Sequence, residues 1–179
     1  MRSRIIILSD LWGKVKSDWK QHYEELLNPE FDVQYYDCCE LAGINTMDLD
    51  EASIHQRFIE SGIDVATRRI IELERDKVSI LAFSIGGTIA WKAGLEGLKI
   101  DNLYAISSTR LRYEVNKPNC TIKLHYGSKD NYIPNAMWLK SMNVPYEIVD
   151  DGDHLIYTKR DFAKMVCKEV KMQSCAANS

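Results

Sequence analysis

Val78-Ser79-Ile80-Leu81-Ala82-Phe83-Ser84-Ile85-Gly86-Gly87 is the stretch that decides the fold. Val78–Phe83 is a short apolar run with no helical period, the pattern of a strand buried on both faces. It leads directly into Ser84, and a helical pattern follows over Gly86–Glu96. Gly97 suits the C-terminal cap of that helix. A serine at such a junction stands on a sharp strand-to-helix turn. Residues two before and two after it pass close together and must be small, as Ala82 and Gly86 are. The helix begins behind the serine, so its unpaired N–H groups and dipole face any negative charge that develops there. The competing reading is a turn of small residues required only for packing.

Working outward, Arg4–Ser9 is a β-branched run and forms the first strand. Val15, Trp19, Tyr23, Leu26 and Leu27 recur at helical spacing, and Asn28-Pro29 stops that helix. Phe31–Tyr36 is the second strand. Ile54, Phe58 and Ile59 then form one apolar face and Val65, Ala66, Ile70 and Leu73 the next, with Gly62 expected to separate two helices. After the central strand and helix come strands at Leu103–Ser107, Thr121–Tyr126 and Tyr146–Val149. Pro134 opens a helix through Trp138, Leu139 and Met142. Phe162, Met165, Val166 and Val170 define the last helix, with Thr158 and Asp161 in capping-box spacing. Strands alternating with helices predict an α/β, three-layer α/β/α sandwich with a parallel sheet of six strands in the order 2-1-3-4-5-6. Residues 1–172 read as a single domain, and 173–179 as a disordered tail. Functional sites in such sheets lie at the carboxyl ends of the strands.

Composition narrows the function. The 179 residues are 45% apolar and 27% charged, with a net charge of −3, which argues against a general nucleic-acid binder. The early apolar run Ile5–Leu8 is shorter than a signal-peptide core, and no run reaches membrane length. The five cysteines show no CxxC pair or Cys/His metal spacing, so they read as reduced, mostly buried thiols of a cytoplasmic protein with no metal site.

The central turn resembles the nucleophile elbow of the α/β-hydrolase superfamily, Gly-x-Ser-x-Gly, with Ala82 in place of the first glycine. The resemblance extends over nearly the whole chain, although the family's usual first two strands are missing. It implies a minimal α/β-hydrolase fold with Ser84 as nucleophile, followed in chain order by an acid and a histidine. Of the four histidines, His22 and His55 precede Ser84 and His125 lies inside a strand. His154 lies in the loop Asp150-Asp151-Gly152-Asp153-His154 before the last helix, where the family places its base. Asp130, in Tyr126-Gly127-Ser128-Lys129-Asp130, matches the family's acid. Asp150, Asp151 and Asp153 compete, but they are crowded against His154 in sequence.

The oxyanion hole is expected from two backbone N–H groups. One is that of Ile85. The other is that of Trp12, because Asp10-Leu11-Trp12-Gly13 resembles the family's His-Gly-x-Gly loop, with Asp10 and Leu11 replacing His-Gly. The Trp12 side chain is either a packing residue or part of the acyl pocket. Leu11, Arg110 and Arg112 are candidate substrate-binding residues. The two arginines follow the fourth strand, where only a rudimentary lid fits, and read either as anion binders or as exposed surface. Three functions follow as expectations, none needing a metal or cofactor. The first is hydrolysis of a small-molecule carboxylic ester through an acyl-enzyme. The second is thioesterase or esterase action on an acyl chain borne by an acidic acyl carrier protein, as in the compact biotin-pathway esterases. The third is a non-catalytic binding module on a hydrolase fold. No nucleic acid or membrane partner is expected.

Overall fold

The computed structural model describes residues 2–177. Six strands form one parallel sheet: β1 (Arg4–Leu8), β2 (Asp32–Tyr36), β3 (Val78–Phe83), β4 (Ile100–Ile106), β5 (Thr121–Gly127) and β6 (Tyr146–Val149). Their order is β2-β1-β3-β4-β5-β6, as the alternation predicts. The helices are α1 (Lys20–Leu27), α2 (Cys38–Ala42), α3 (Glu51–Arg57), α4 (Ile63–Leu73), α5 (Ile85–Leu95), α6 (Ala136–Met142) and α7 (Arg160–Ala177).

The sheet is buried on both faces because its central strands carry apolar runs, Ile5–Leu8, Ile80–Phe83 and Leu103–Ile106, that supply both faces. Successive residues of a strand point to opposite faces. Along β3, Ile80 and Ala82 therefore pack with α2 to α6, while Leu81 and Phe83 pack with α1 and α7. The same alternation divides Ile6 and Leu8 from Ile5 and Ile7 in β1. The result is three layers with Ser84 at the carboxyl end of the middle of the sheet.

Several local expectations change. Gly62 lies between two helices as expected but does not break the run: it ends a π-type turn, Phe58–Gly62, that joins α3 to α4. Ile59, within that turn, is exposed, as is Leu73 at the last residue of α4. Gly13–Lys16 is a 3₁₀ turn apart from α1, and Val15 points to solvent. Asn135, rather than Pro134, caps α6, its side chain accepting from the Trp138 N–H. Thr158 does not cap α7, because its hydroxyl donates to the Leu155 carbonyl at 2.8 Å. The last helix also continues to Ala177, so most of the stretch expected to be a disordered tail is helical, while Asn178 and Ser179 lie outside the described residues. Gly97 does end α5, with φ +108° and the Leu98 N–H on the Ala93 carbonyl at 2.9 Å. Cys38, Cys39 and Cys167 are buried, and no described helix is long and apolar enough to cross a membrane.

Candidate active site

The turn after β3 places Ser84 in a conformation that side chains rarely adopt, φ 49° and ψ −115°. A positive φ at a non-glycine residue is strained, and such strain persists only where the surroundings over-determine it. Here the Ser84 N–H is held by the Ile106 carbonyl at 2.8 Å, and its own carbonyl accepts from the Gly87 N–H at 3.1 Å. The neighbours explain the demand for small residues. A Cβ on Gly86 would stand 2.5 Å from the Ser9 carbonyl oxygen, and one on Gly87 would collide with the Ser108 side chain. Sequence reasoning assigned a role to Gly86 but none to Gly87.

Three side chains meet there. Ser84 Oγ lies 3.0 Å from His154 Nε2, and His154 Nδ1 lies 2.6 Å from Asp130 Oδ2. Asp130 is 7% exposed and also accepts the Tyr132 N–H at 3.0 Å. Burial opposes its ionisation. The hydrogen bonds from His154 and Tyr132 and the charges of His154 and Arg112 outweigh that and hold the carboxyl below its ordinary range. With a carboxylate on Nδ1, the neutral imidazole carries its proton there and leaves Nε2 as an acceptor facing the serine hydroxyl.

Backbone ties fix the acid and histidine loops to each other. The Lys129 N–H donates to the Gly152 carbonyl at 2.7 Å and the Ser128 N–H to Val149 at 2.9 Å, while the Asp130 N–H closes its own loop on the Gly127 carbonyl at 3.0 Å. Gly127 and Gly152 cross with no room for a side chain, since a Cβ on Gly127 would run into the Gly152 backbone. Asp150, Asp151 and Asp153 do not reach the imidazole: Asp151 pairs with Lys129, and Asp153 accepts the Leu155 N–H.

The loop after β1 is fixed differently. Asp37 accepts the N–H groups of Lys14, Cys39 and Glu40. The Cys39 thiol donates to the Leu11 carbonyl at 3.0 Å, and the Lys16 ammonium stands 3.5 Å over the Trp12 ring. Of the two expected oxyanion donors, Ile85 opens α5, so its N–H has no acceptor within the helix. The Trp12 N–H, in contrast, is given to Asp10 Oδ1 at 3.0 Å. Leu11 is half-buried against the α2–α6 side of the core.

Arg110 and Arg112 lie on a 3₁₀ turn, Thr109–Tyr113, after β4. Arg112 donates to the Thr109 carbonyl at 2.7 Å and stacks near Tyr113 (4.4 Å) and Tyr132 (5.6 Å). Arg110 stands 5.2 Å over Tyr113, and its buried Nε has no hydrogen-bond partner. The charge of Arg112 reaches Asp130, and both arginines act on His55 of α3, so the pair lies between α3 and the acid loop.

Tyr157 and Asp10 are further polar groups of the site to which the sequence reading gave no role. Tyr157 is 1% exposed, with its ring 6.4 Å from that of His154 and its hydroxyl on Asp10 Oδ2 at 3.0 Å. No sequence signal marks it beyond its place three residues after His154. The candidate metal-ligand cluster among the described residues, His125, Glu147 and Glu169, lies apart from Ser84 on β5, β6 and α7. The Lys123 ammonium already sits on Glu169 at 2.7 Å and Glu147 at 3.4 Å, which makes the cluster an ion-pair network.

No protein-family model matches the sequence, and no curated protein matches it. Solved structures match in shape. A hydrolase of the α/β superfamily from Xanthomonas campestris pv. campestris superposes with a TM-score of 0.67 at 16% identity, over 97% of this chain and 99% of that one. A structure from a study of carboxylesterases of the ammonia-oxidizing thaumarchaeon Nitrososphaera gargenis gives 0.68 at 13% identity, over 98% and 92%. A dienelactone hydrolase structure from Klebsiella pneumoniae gives 0.68 at 15% identity, over 94% and 85%. The fold is that of the α/β hydrolases.

Proposed function

We propose that the protein is a serine hydrolase that cleaves a carboxylic ester of a small molecule through an acyl-enzyme, in the cytoplasm and without metal or cofactor. The observation that carries this reading is the line of contacts from Ser84 Oγ to His154 Nε2 at 3.0 Å and from His154 Nδ1 to Asp130 Oδ2 at 2.6 Å. His154 takes the serine proton as Oγ attacks the ester carbonyl. The ionised Asp130 holds the ring and stabilises the imidazolium. The oxyanion that forms takes the Ile85 N–H and, once released from Asp10, the Trp12 N–H. His154 then passes its proton to the departing alcohol oxygen. Water, deprotonated by the same imidazole, attacks the acyl-enzyme and frees the acid. The fold hosts many chemistries, so the carboxylesterase and dienelactone hydrolase among its structural neighbours support this reading by analogy alone.

The test is turnover of a series of p-nitrophenyl esters of increasing chain length. Wild type should hydrolyse the short members, and His154→Ala should lose nearly all of that activity. Full esterase activity in His154→Ala would overturn the assignment of the base.

A second reading keeps the same three residues and changes the substrate to an acyl ester or thioester on an acidic acyl carrier protein. Arg110 and Arg112 favour it, because neither forms an ion pair with a carboxylate among the described residues. Leu11 and the Trp12 side chain would line the acyl pocket in either case.

A further inference from the structure

Asp10 is the carboxylate that the proposed mechanism leaves unused. It is 3% exposed at the end of β1, in the position where the resembled loop has histidine. Its Oδ1 accepts the Trp12 N–H and its Oδ2 the Tyr157 hydroxyl, both at 3.0 Å. Tyr157 is itself immobilised. Its carbonyl accepts the Tyr23 hydroxyl at 2.8 Å, and its ring packs 5.0 Å from Trp19 and 5.3 Å from Phe83. The far edge of this cluster meets the His154 ring. A carboxylate held out of water by two donors is costly, whereas a neutral amide would fill the same space at lower cost. Its charge is the property that the amide would lack.

The groups that face Asp10 come from three places. His154 and Tyr157 follow β6, the Trp12 N–H belongs to its own loop, and Asp37 stands at the start of α2 with the thiols of Cys38 and Cys39 behind it. His154 is the group here whose positive charge favours the ionised Asp10. The interaction is mutual: an anionic Asp10 favours the imidazolium by the same amount.

We propose that Asp10 is a positioning residue for His154, holding Tyr157 against the imidazole and setting a second negative charge near the ring that Asp130 orients. The inference rests on the proposed role of His154. Burial pushes the Asp10 carboxyl up to about 6, against the opposing hydrogen bonds from Tyr157 and Trp12 and the charge of His154. Asp10 is therefore anionic above about pH 6 and neutral below it. In the transition state the anion stabilises the imidazolium. As pH falls, activity loses both the neutral His154 and the Asp10 charge, so the acid limb of kcat/KM records two coupled protonations.

The experiment follows the His154 ring signals by NMR in the full chain, together with the pH profile for a small chromogenic ester. Asp10→Asn retains an oxygen for the Trp12 N–H and places an amide beside the Tyr157 oxygen. It should change the His154 ring signals relative to wild type above about pH 6, where Asp10 is charged, and leave them close to wild type well below it. The acid limb should reduce to a single proton, and kcat at pH 8 should fall about tenfold with KM little changed. Tyr157→Phe, which removes a donor to the ionised Asp10 and keeps the packing, should move the acid limb upward. Identical His154 ring signals across the pH range in wild type, Asp10→Asn and Tyr157→Phe would overturn the proposal. The NMR arm needs no turnover, so a protein without esterase activity would still reveal whether Asp10 acts on His154.

Discussion

The loops carrying Asp130 and His154 are joined to each other by backbone, whereas the loop carrying Trp12 is joined to the rest of the protein by side chains. In the first pair, two backbone hydrogen bonds and the contact of Gly127 with Gly152 fix the Asp130 loop against the His154 loop. In the second, Asp10, Asp37 and the Cys39 thiol each take or give a bond to the loop, and one of those bonds occupies the Trp12 N–H. Backbone ties hold whatever the charge state. Bonds to a carboxylate that titrates at about 6 change strength within the neutral range. The two halves of the site should therefore answer differently to substitution and to pH.

The largest effect belongs to the rigid half. Ser84→Ala or His154→Ala should lower kcat for a p-nitrophenyl ester by about 10⁴-fold or more, and combining them should cost little beyond either alone. Additive losses would mean that the two residues do not act as a unit.

Gly127→Ala comes next. Its methyl meets backbone, so the two loops must separate. Stability should fall by about 1–3 kcal/mol. Displacing His154 from Asp130 by as little as about 1 Å can cost about 100-fold in kcat. A variant with unchanged melting temperature and activity would show that the loop crossing is looser than the structure has it.

The adaptable half should behave in the opposite sense. The Asp10 carboxyl is raised from 3.8 to about 6 by burial, so ionising it opposes folding. That cost is absent below about pH 4, grows as pH rises toward 6 and is complete above it. Asp10→Asn removes it and should raise stability at pH 8 by up to about 3 kcal/mol, with little change at pH 4. Urea unfolding at the two pH values measures the difference, and equal shifts at both would refute the charge argument.

The smallest effect concerns the rim. Replacing Arg110 and Arg112 together by alanine should lower activity on a carrier-bound acyl substrate about tenfold and spare a small neutral ester. Equal losses on both substrates would sink the carrier-protein reading.

The same contrast explains what could be read from the sequence. The strand order and the turn at Ser84 were legible from local signals, buried β runs and small residues, and the meeting of Asp130 and His154 with Ser84 from the chain order that the resemblance implies. Asp10 and Tyr157 were not, since 147 positions separate them and only folding brings them together. The engaged Trp12 N–H was hidden for a related reason. A loop matched by its last glycine says nothing about where a substituted aspartate will turn its oxygens. The π-type turn at Phe58–Gly62 defeated the periodicity argument by shifting the helical face within a continuous run.

The central claim is that Ser84 is a nucleophile activated by His154. Labelling the full chain with a fluorophosphonate probe, followed by peptide mass spectrometry, tests it most directly. The account predicts one adduct on Ser84, absent in Ser84→Ala and strongly slowed in His154→Ala. No adduct on the wild-type protein, or one that persists in Ser84→Ala, would contradict it and leave a binding module on a hydrolase fold.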